Sequence, residues 1–282
     1  MIRLTIVLLC ALALSVAAVL VYGEFAEANN TPTNLYLIAL MGQSNMAGRG
    51  KLSELPPGFP SNPAKLWNFT NAYKWESAKE PIDSSLGQID LVSKDPHPGV
   101  GPSLALADAF VSAHPSTSVG LIPCAKGQTS ILDWRKQQTT QPRSTLFGSC
   151  VNRIKTVSPA NGTIRMVIFW EGGTDAKKQT DAVRWKDRFT TFVADLRAEL
   201  GNPNLPFVLP IIELHDKRAY PYWKIVRAQQ RSVDIPGVIK IDTDGYERQK
   251  DGVHFTTKGQ LAFGAQLARV LPAPELGYSA SK

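Results

Sequence analysis

The sequence predicts an α/β fold built on a five-stranded parallel sheet, and three observations carry that expectation. Short apolar runs rich in β-branched residues alternate with longer stretches of helical period, the pattern of βαβ units. The apolar runs are hydrophobic throughout rather than alternating, as strands covered on both faces are. The chain has 282 residues, 43% hydrophobic and 20% charged, which suits one sizeable domain behind a leader. That composition also excludes a disordered, collagenous or coiled-coil chain.

Met1-Ile2-Arg3 precedes an uncharged apolar run from Leu4 to Tyr22, the charged start and hydrophobic middle of a secretory signal. Small-residue cleavage sites stand at Val21-Tyr22-Gly23 and Ala26-Glu27-Ala28. The run is also just long enough to remain as an uncleaved anchor, so residues 1–28 are assigned to a signal peptide or signal anchor and 29–282 to the folded domain. Secretion is the expected localisation, with membrane attachment only if the leader is kept. Cys10 leaves with a cleaved leader; the remaining Cys124 and Cys150 permit one disulfide in an exported protein, against the alternative of two buried thiols.

Strands are predicted at Leu35–Leu40, Ser118–Ile122, Arg165–Trp170, Phe207–Glu213 and Val238–Ile241. Helical spacing marks 102–112, 181–200, 221–232 and 257–271, with Phe189, Phe192, Val193 and Leu196 forming one apolar stripe. Lys51 to Val100 has no period and is far too long for an ordinary connection, so it reads as a structured functional loop. Its Trp67, Phe69, Tyr73 and Trp75 serve either to pack the loop onto the domain or to stack on sugar rings. Residues 272–282 read as a frayed tail.

The net charge is +7, but the basic residues are scattered without a five-residue run, so no nucleic-acid footprint is expected. His97, His114 and His215 have no metal-ligand spacing, and the Gly-rich Gly99-Val100-Gly101-Pro102 lacks a P-loop lysine. No metal and no other cofactor is expected. Asp175 and Asp181 read as capping or dipole acids rather than a glycosidase pair.

Two motifs carry chemistry. The first strand runs into Gly42-Gln43-Ser44-Asn45-Met46-Ala47-Gly48, placing Ser44 at the carboxyl end of a sheet, where open α/β folds bind ligands. Asp251-Gly252-Val253-His254 puts an acid and an imidazole three residues apart on one loop, the spacing of a nucleophile's base and its orienter. Each motif alone is weak evidence. Together they are what a serine hydrolase needs.

With Gly99-Val100-Gly101-Pro102 and Pro123-Cys124-Ala125-Lys126-Gly127-Gln128-Thr129-Ser130-Ile131 plus Trp134, these blocks make the chain resemble the SGNH hydrolases, and within them the sialate O-acetylesterase-like carbohydrate esterases, including those of plants. The resemblance implies a flavodoxin-like three-layer α/β/α sandwich. It implies Ser44 as nucleophile, His254 as general base and Asp251 as its orienter, with the Ser44 and Gly127 amides as oxyanion donors. The implied reaction is removal of acetyl groups from sugar hydroxyls, with an acetylated glycan as the substrate partner. One block departs from the pattern. Where relatives read Gln-Gly-Glu-Ser-Asp, this chain reads Glu171-Gly172-Gly173-Thr174-Asp175, so Glu171 replaces the glutamine expected at the oxyanion hole. A protonated Glu171 would still donate there; an outward Glu171 would instead pair with Lys126, Lys177 or Arg49. An ionised one would weaken turnover, and in the limit leave a carbohydrate-binding protein.

Overall fold

The computed structural model describes residues 31–83, 89–92 and 97–274. The chain divides into two compact units, Met1–Thr33 and Asn34–Lys282, and every strand and helix among the described residues belongs to the second. The leader expected over 1–28 and most of the expected tail lie outside the described residues.

In chain order the elements are β1 (Leu35–Gly42), α1 (Ser44–Ala47), β2 (Leu66–Phe69), β3 (Trp75–Ser77), α2 (Ser103–Ala113), β4 (Val119–Ala125), α3 (Leu146–Val157), β5 (Gly162–Trp170), α4 (Gln179–Ala182), α5 (Trp185–Glu199), β6 (Phe207–Ile211), α6 (Trp223–Arg231), β7 (Val238–Asp242) and α7 (Thr257–Ala268). The five predicted strands are all present, as β1, β4, β5, β6 and β7. The sheet nevertheless has seven strands, in the order β3-β2-β4-β1-β5-β6-β7. The extra two come from the segment read as a loop. β2 pairs in parallel with β4, and β3 closes the edge antiparallel to β2. Four residues that include polar Asn68 have no legible period, and it is the long-range pairing with β4 that makes β2 a strand.

β1 is buried along its whole length and pairs in parallel with β4 on one side and β5 on the other. The chain leaves β1 for β4 and then jumps back over it to β5, so strand order reverses beside β1. Right-handed crossovers then place α2 on one face and α3, α5 and α6 on the other. The packing agrees: α2 lies against α7, while α5 touches both α3 and α6. Gly264 lets α7 approach, because a Cβ there would sit 2.3 Å from the Pro102 carbonyl.

The predicted stripe of α5 is buried: Phe189, Phe192, Val193 and Leu196 are at most 1% exposed. Phe192 meets Phe169 of β5 with ring centroids 4.5 Å apart, and Trp134 meets Phe169 edge-on at 5.7 Å. The helix α3 has no counterpart in the sequence reading, its apolar face being interrupted by Gly148, Ser149, Asn152 and Arg153. Cys150 on α3 is bonded to Cys124 on β4, with Cα atoms 5.6 Å apart. Closing that loop is worth roughly 3 kcal/mol in the chain-entropy model.

Candidate active site

The reversal of strand order beside β1 opens a crevice at the carboxyl ends of β1, β4 and β5, and the chemistry-bearing loops meet there. Gly42 ends β1 at φ +123°, a conformation glycine tolerates, and a Cβ there would meet the Trp170 carbonyl at 2.2 Å. The tight approach turns the chain so that Ser44 opens the single turn α1, 8% exposed. Near the other end of the sequence, Gly252 at φ +67° bends the loop carrying Asp251 and His254.

The structure brings the two motifs together. Ser44 Oγ lies 2.8 Å from His254 Nε2, and His254 Nδ1 lies 2.6 Å from Asp251 Oδ2. The other carboxylate oxygen of Asp251 accepts from the backbone amides of Val253 at 2.8 Å and His254 at 3.0 Å. Partial burial alone would raise the Asp251 carboxyl, but the Val253 amide, the His254 ring and the His254 amide together hold it below its ordinary value. Asp251 is thus fixed as an anion on Nδ1, which leaves Nε2 to face the serine hydroxyl.

Asn45 explains why loops about 210 residues apart keep this register. Its side chain donates to the Val253 carbonyl at 3.1 Å and accepts from the Phe255 amide at 3.1 Å, bracketing His254 on both sides. Gln260 of α7 donates to the Asn45 carbonyl at 3.1 Å, and Gln249 donates to the Arg49 carbonyl at 2.7 Å. Sequence reasoning missed these amides, although Asn45 stands inside the motif that contains Ser44.

Ser44 and His254 open onto a cavity of about 190 Å³ whose other walls include Gln43, Gln128, Thr174, Lys177 and Tyr220. Arg49, His97 and Gln128 also line a neighbouring cleft of about 560 Å³ that runs over Lys126, Gly127 and Arg135. Gly127 lines the larger cleft, and Gln128, which the two cavities share, holds its turn at φ +65°. Among the described residues no group of three or more His, Cys, Asp or Glu is placed to hold a metal ion.

Glu171 does not turn outward. The residue is 0% exposed and contributes nothing to the wall of the small cavity. Buried in this way, it forms none of the expected ion pairs with Lys126, Lys177 or Arg49 among the described residues. Gln43 stands between it and the cleft: oriented so that both ends of its amide are satisfied, Gln43 donates to Glu171 Oε1 at 3.0 Å and to the Thr129 carbonyl at 3.1 Å, and accepts from the Gly173 amide at 3.3 Å. Asp175 and Asp181 each stand in the first turn of a short helix, as the reading of them as capping or dipole acids expects. Asp175 is 0% exposed and accepts from the Ile131 amide at 3.0 Å, while Asp181 pairs with Arg188 at 2.9 Å.

The aromatic loop residues pack rather than project: Phe69 lies 5.2 Å from Tyr73 and 5.3 Å from Trp75, centroid to centroid.

Residues 32–272 match the model of a family described as carbohydrate esterase, sialic acid-specific acetylesterase. A probable carbohydrate esterase of Arabidopsis thaliana is 29% identical over 254 residues, spanning 84% of this chain and 90% of that protein. The X-ray structure of an Arabidopsis thaliana protein superposes with a TM-score of 0.73 at 28% identity, over 84% of this chain and 97% of that one. Two more distant structures share the fold. NanS gives a TM-score of 0.63 at 14% identity, over 84% of this chain and 95% of its own. A carbohydrate acetylesterase from Xanthomonas citri gives 0.57 at 18%, over 83% of this chain and 55% of its own. With its family model covering nearly the whole described domain, the chain belongs to the sialic acid-specific acetylesterase family of carbohydrate esterases, which are carboxylic ester hydrolases.

Proposed function

We propose that the protein is an exported serine esterase that removes O-acetyl groups from acetylated carbohydrate through an acyl-enzyme intermediate. The observation that carries this reading is the 2.8 Å contact between Ser44 Oγ and His254 Nε2, made across 210 residues of sequence. His254 takes the hydroxyl proton as Ser44 attacks the acetyl carbonyl, and Asp251 stabilises the imidazolium that forms. The Ser44 and Gly127 amides are the proposed donors to the oxyanion. His254 then returns the proton to the departing sugar hydroxyl, leaving acetyl-Ser44. Water attacks in the second half, giving up its proton to His254, which passes it to Ser44 Oγ as the acyl bond breaks and acetate leaves.

The two cavities suit that division of labour. About 190 Å³ beside the serine accommodates a short acyl group, and the 560 Å³ cleft is in the size range of small-ligand sites, with room for the sugar. Export rests on the leader sequence alone. The test is acetate release from acetylated xylan, acetylated pectin and O-acetyl sialic acid, with an aryl acetate as a general ester and Ser44→Ala as blank. Hydrolysis by the wild type with at least a roughly thousandfold loss in Ser44→Ala is expected, the order seen when a nucleophile is removed. Sugar binding with no hydrolysis of any ester would replace this reading with that of a carbohydrate-binding relative.

A further inference from the structure

We propose that Glu171 and Asp175 share a single proton in the working protein, and that this pair positions Gln43 and keeps negative charge away from the wall of the cleft beside Ser44. The proposal rests on the esterase reading for its catalytic consequence and on the geometry alone for the shared proton.

Both residues are sealed from solvent, at 0% exposure. One oxygen of each carboxyl is satisfied by its surroundings: Glu171 Oε1 accepts from Gln43, and Asp175 Oδ2 accepts from the Ile131 amide. Glu171 Oε2 and Asp175 Oδ1 are buried oxygens without a hydrogen bond of ordinary geometry among the described residues, and the side chains that act on Glu171 there are the Asp175 carboxyl and the Trp185 indole N–H. Two such atoms repel when both groups are ionised and bond when one carries a proton. A proton on Glu171 Oε2, donated to Asp175 Oδ1, satisfies both at once.

The charges around the pair do not offer another solution. Arg188 of α5 approaches Asp175 Oδ1 at only 3.8 Å and is engaged by Asp181 of α4 at 2.9 Å. Asp133, from the turn after β4, adds to the negative field at Glu171. The indole N–H of Trp185 on α5 bonds to the Glu171 carboxyl and favours its ionised form, a pull smaller than those of burial and of Asp175, and Gln230 of α6 donates to the Glu171 backbone carbonyl at 2.8 Å. Among the described residues, one distant and shared cation thus faces several carboxyl groups. Burial first, and then the neighbouring Asp175, push the Glu171 carboxyl well above the ordinary range; burial likewise raises Asp175, against its bonds to Glu171 and Ile131.

The link to chemistry runs through Gln43. That single side chain joins Glu171, Thr129 and Gly173, so it ties the segments after β4 and β5 to the residue preceding Ser44. A neutral Glu171 holds it without placing a charge behind the oxyanion wall. Loss of the shared proton would put two buried carboxylates in contact, force them apart, and set a negative charge one layer behind the developing oxyanion.

Glu171→Gln tests this, because its amide can donate to Asp175 and accept from Gln43 but has no proton to lose. We expect kcat within about threefold of wild type at acid pH, with the alkaline decline of wild-type kcat shifted upward or abolished and KM little changed. Glu171→Ala should lose about ten- to a hundredfold in kcat, as small misplacements near a reacting centre do. An unchanged alkaline limb in Glu171→Gln would overturn the proposal. Infrared spectroscopy supplies a readout free of activity: the carbonyl stretch of a buried protonated carboxyl should persist in Glu80→Gln and vanish in Glu171→Gln. Its absence from the wild type would overturn the shared proton even if the enzyme is active. Its presence in a protein that hydrolyses no ester would sink the esterase reading and leave the pair standing.

Discussion

Asp90 and Glu171 are both sealed inside the domain, yet Asp90 faces a guanidinium and Glu171 faces another acid. Arg153 of α3 lies 3.3 Å from Asp90 with both side chains at 0% exposure, and it also donates to the carbonyls of Phe69 at 2.8 Å and Thr70 at 3.0 Å. Tyr73 completes the cluster, donating to Asp90 at 3.0 Å and accepting from Asn152 at 2.8 Å, with the Arg153 guanidinium 5.2 Å from its ring centre. Burial, the largest influence there, pushes the Tyr73 hydroxyl up to about 12, so it stays a donor at any working pH. Charge met by countercharge serves to pin the long segment between β1 and α2 onto the domain. Charge removed by a shared proton serves where a lasting charge would oppose the reaction. Burial alone does not determine the solution; the neighbouring element does.

Breaking the first region should have the largest effect. Arg153→Ala leaves Asp90 buried without its cation, and urea denaturation should show a loss of about 3–5 kcal/mol. A loss below about 1 kcal/mol, the ceiling for an exposed pair, would show that the guanidinium is not the anchor of this segment.

The second region should respond to pH where an arginine-anchored one does not. A buried acid whose folded pKa stands above its unfolded value binds its proton more tightly in the native state. Its contribution is complete below the ordinary carboxylate range and is lost as pH rises through the folded pKa. Glu171→Gln should therefore be about as stable as wild type in acid and increasingly more stable than it as pH rises. A constant difference between the two proteins across that window would contradict a titrating pair.

Glu80 sharpens the contrast with a smaller effect. Its Oε1 is buried, and burial pushes its carboxyl up to about 8, against the bonding pull of the Ile82 and Gly101 amides. The same sign holds: Glu80 favours the fold below the usual carboxylate pKa of 4.5 and ceases to as pH climbs through about 8. Glu80→Gln should gain over wild type between those limits in pH-dependent thermal unfolding, by less than Glu171→Gln does, since Glu80 has no second acid against it. A gain confined to acid pH would reverse the assignment.

Much of the site was legible because its chemistry is compressed into short motifs. Ser44 and the Asp251, His254 pair each sit in a block whose glycines and strand boundary announce a turn. Glu171 was legible as a departure but not as a position. Its distance from the cleft is set by Gln43, which fills the space that Gly173, lacking a side chain, leaves open; a Cβ on Gly173 would come within 2.5 Å of the end of the Gln43 amide. Strand β2 and helix α3 escaped notice for a related reason. Phe69 and Thr70 bind Arg153 through backbone carbonyls, and Cys150 meets Cys124 across the layers. Neither contact leaves a period in the local sequence.

Hydrophobic periodicity and turn residues act between near neighbours along the chain, and on their own they determined the α/β class, five parallel strands and the turn that presents Ser44. Whether an imidazole reaches that serine, which carboxyl keeps its charge, and what counts as a strand at the sheet edge depend on groups far apart in sequence. The free energy of a buried polar atom is set by whatever the fold places within about 3 Å of it, and only tertiary structure supplies that neighbour.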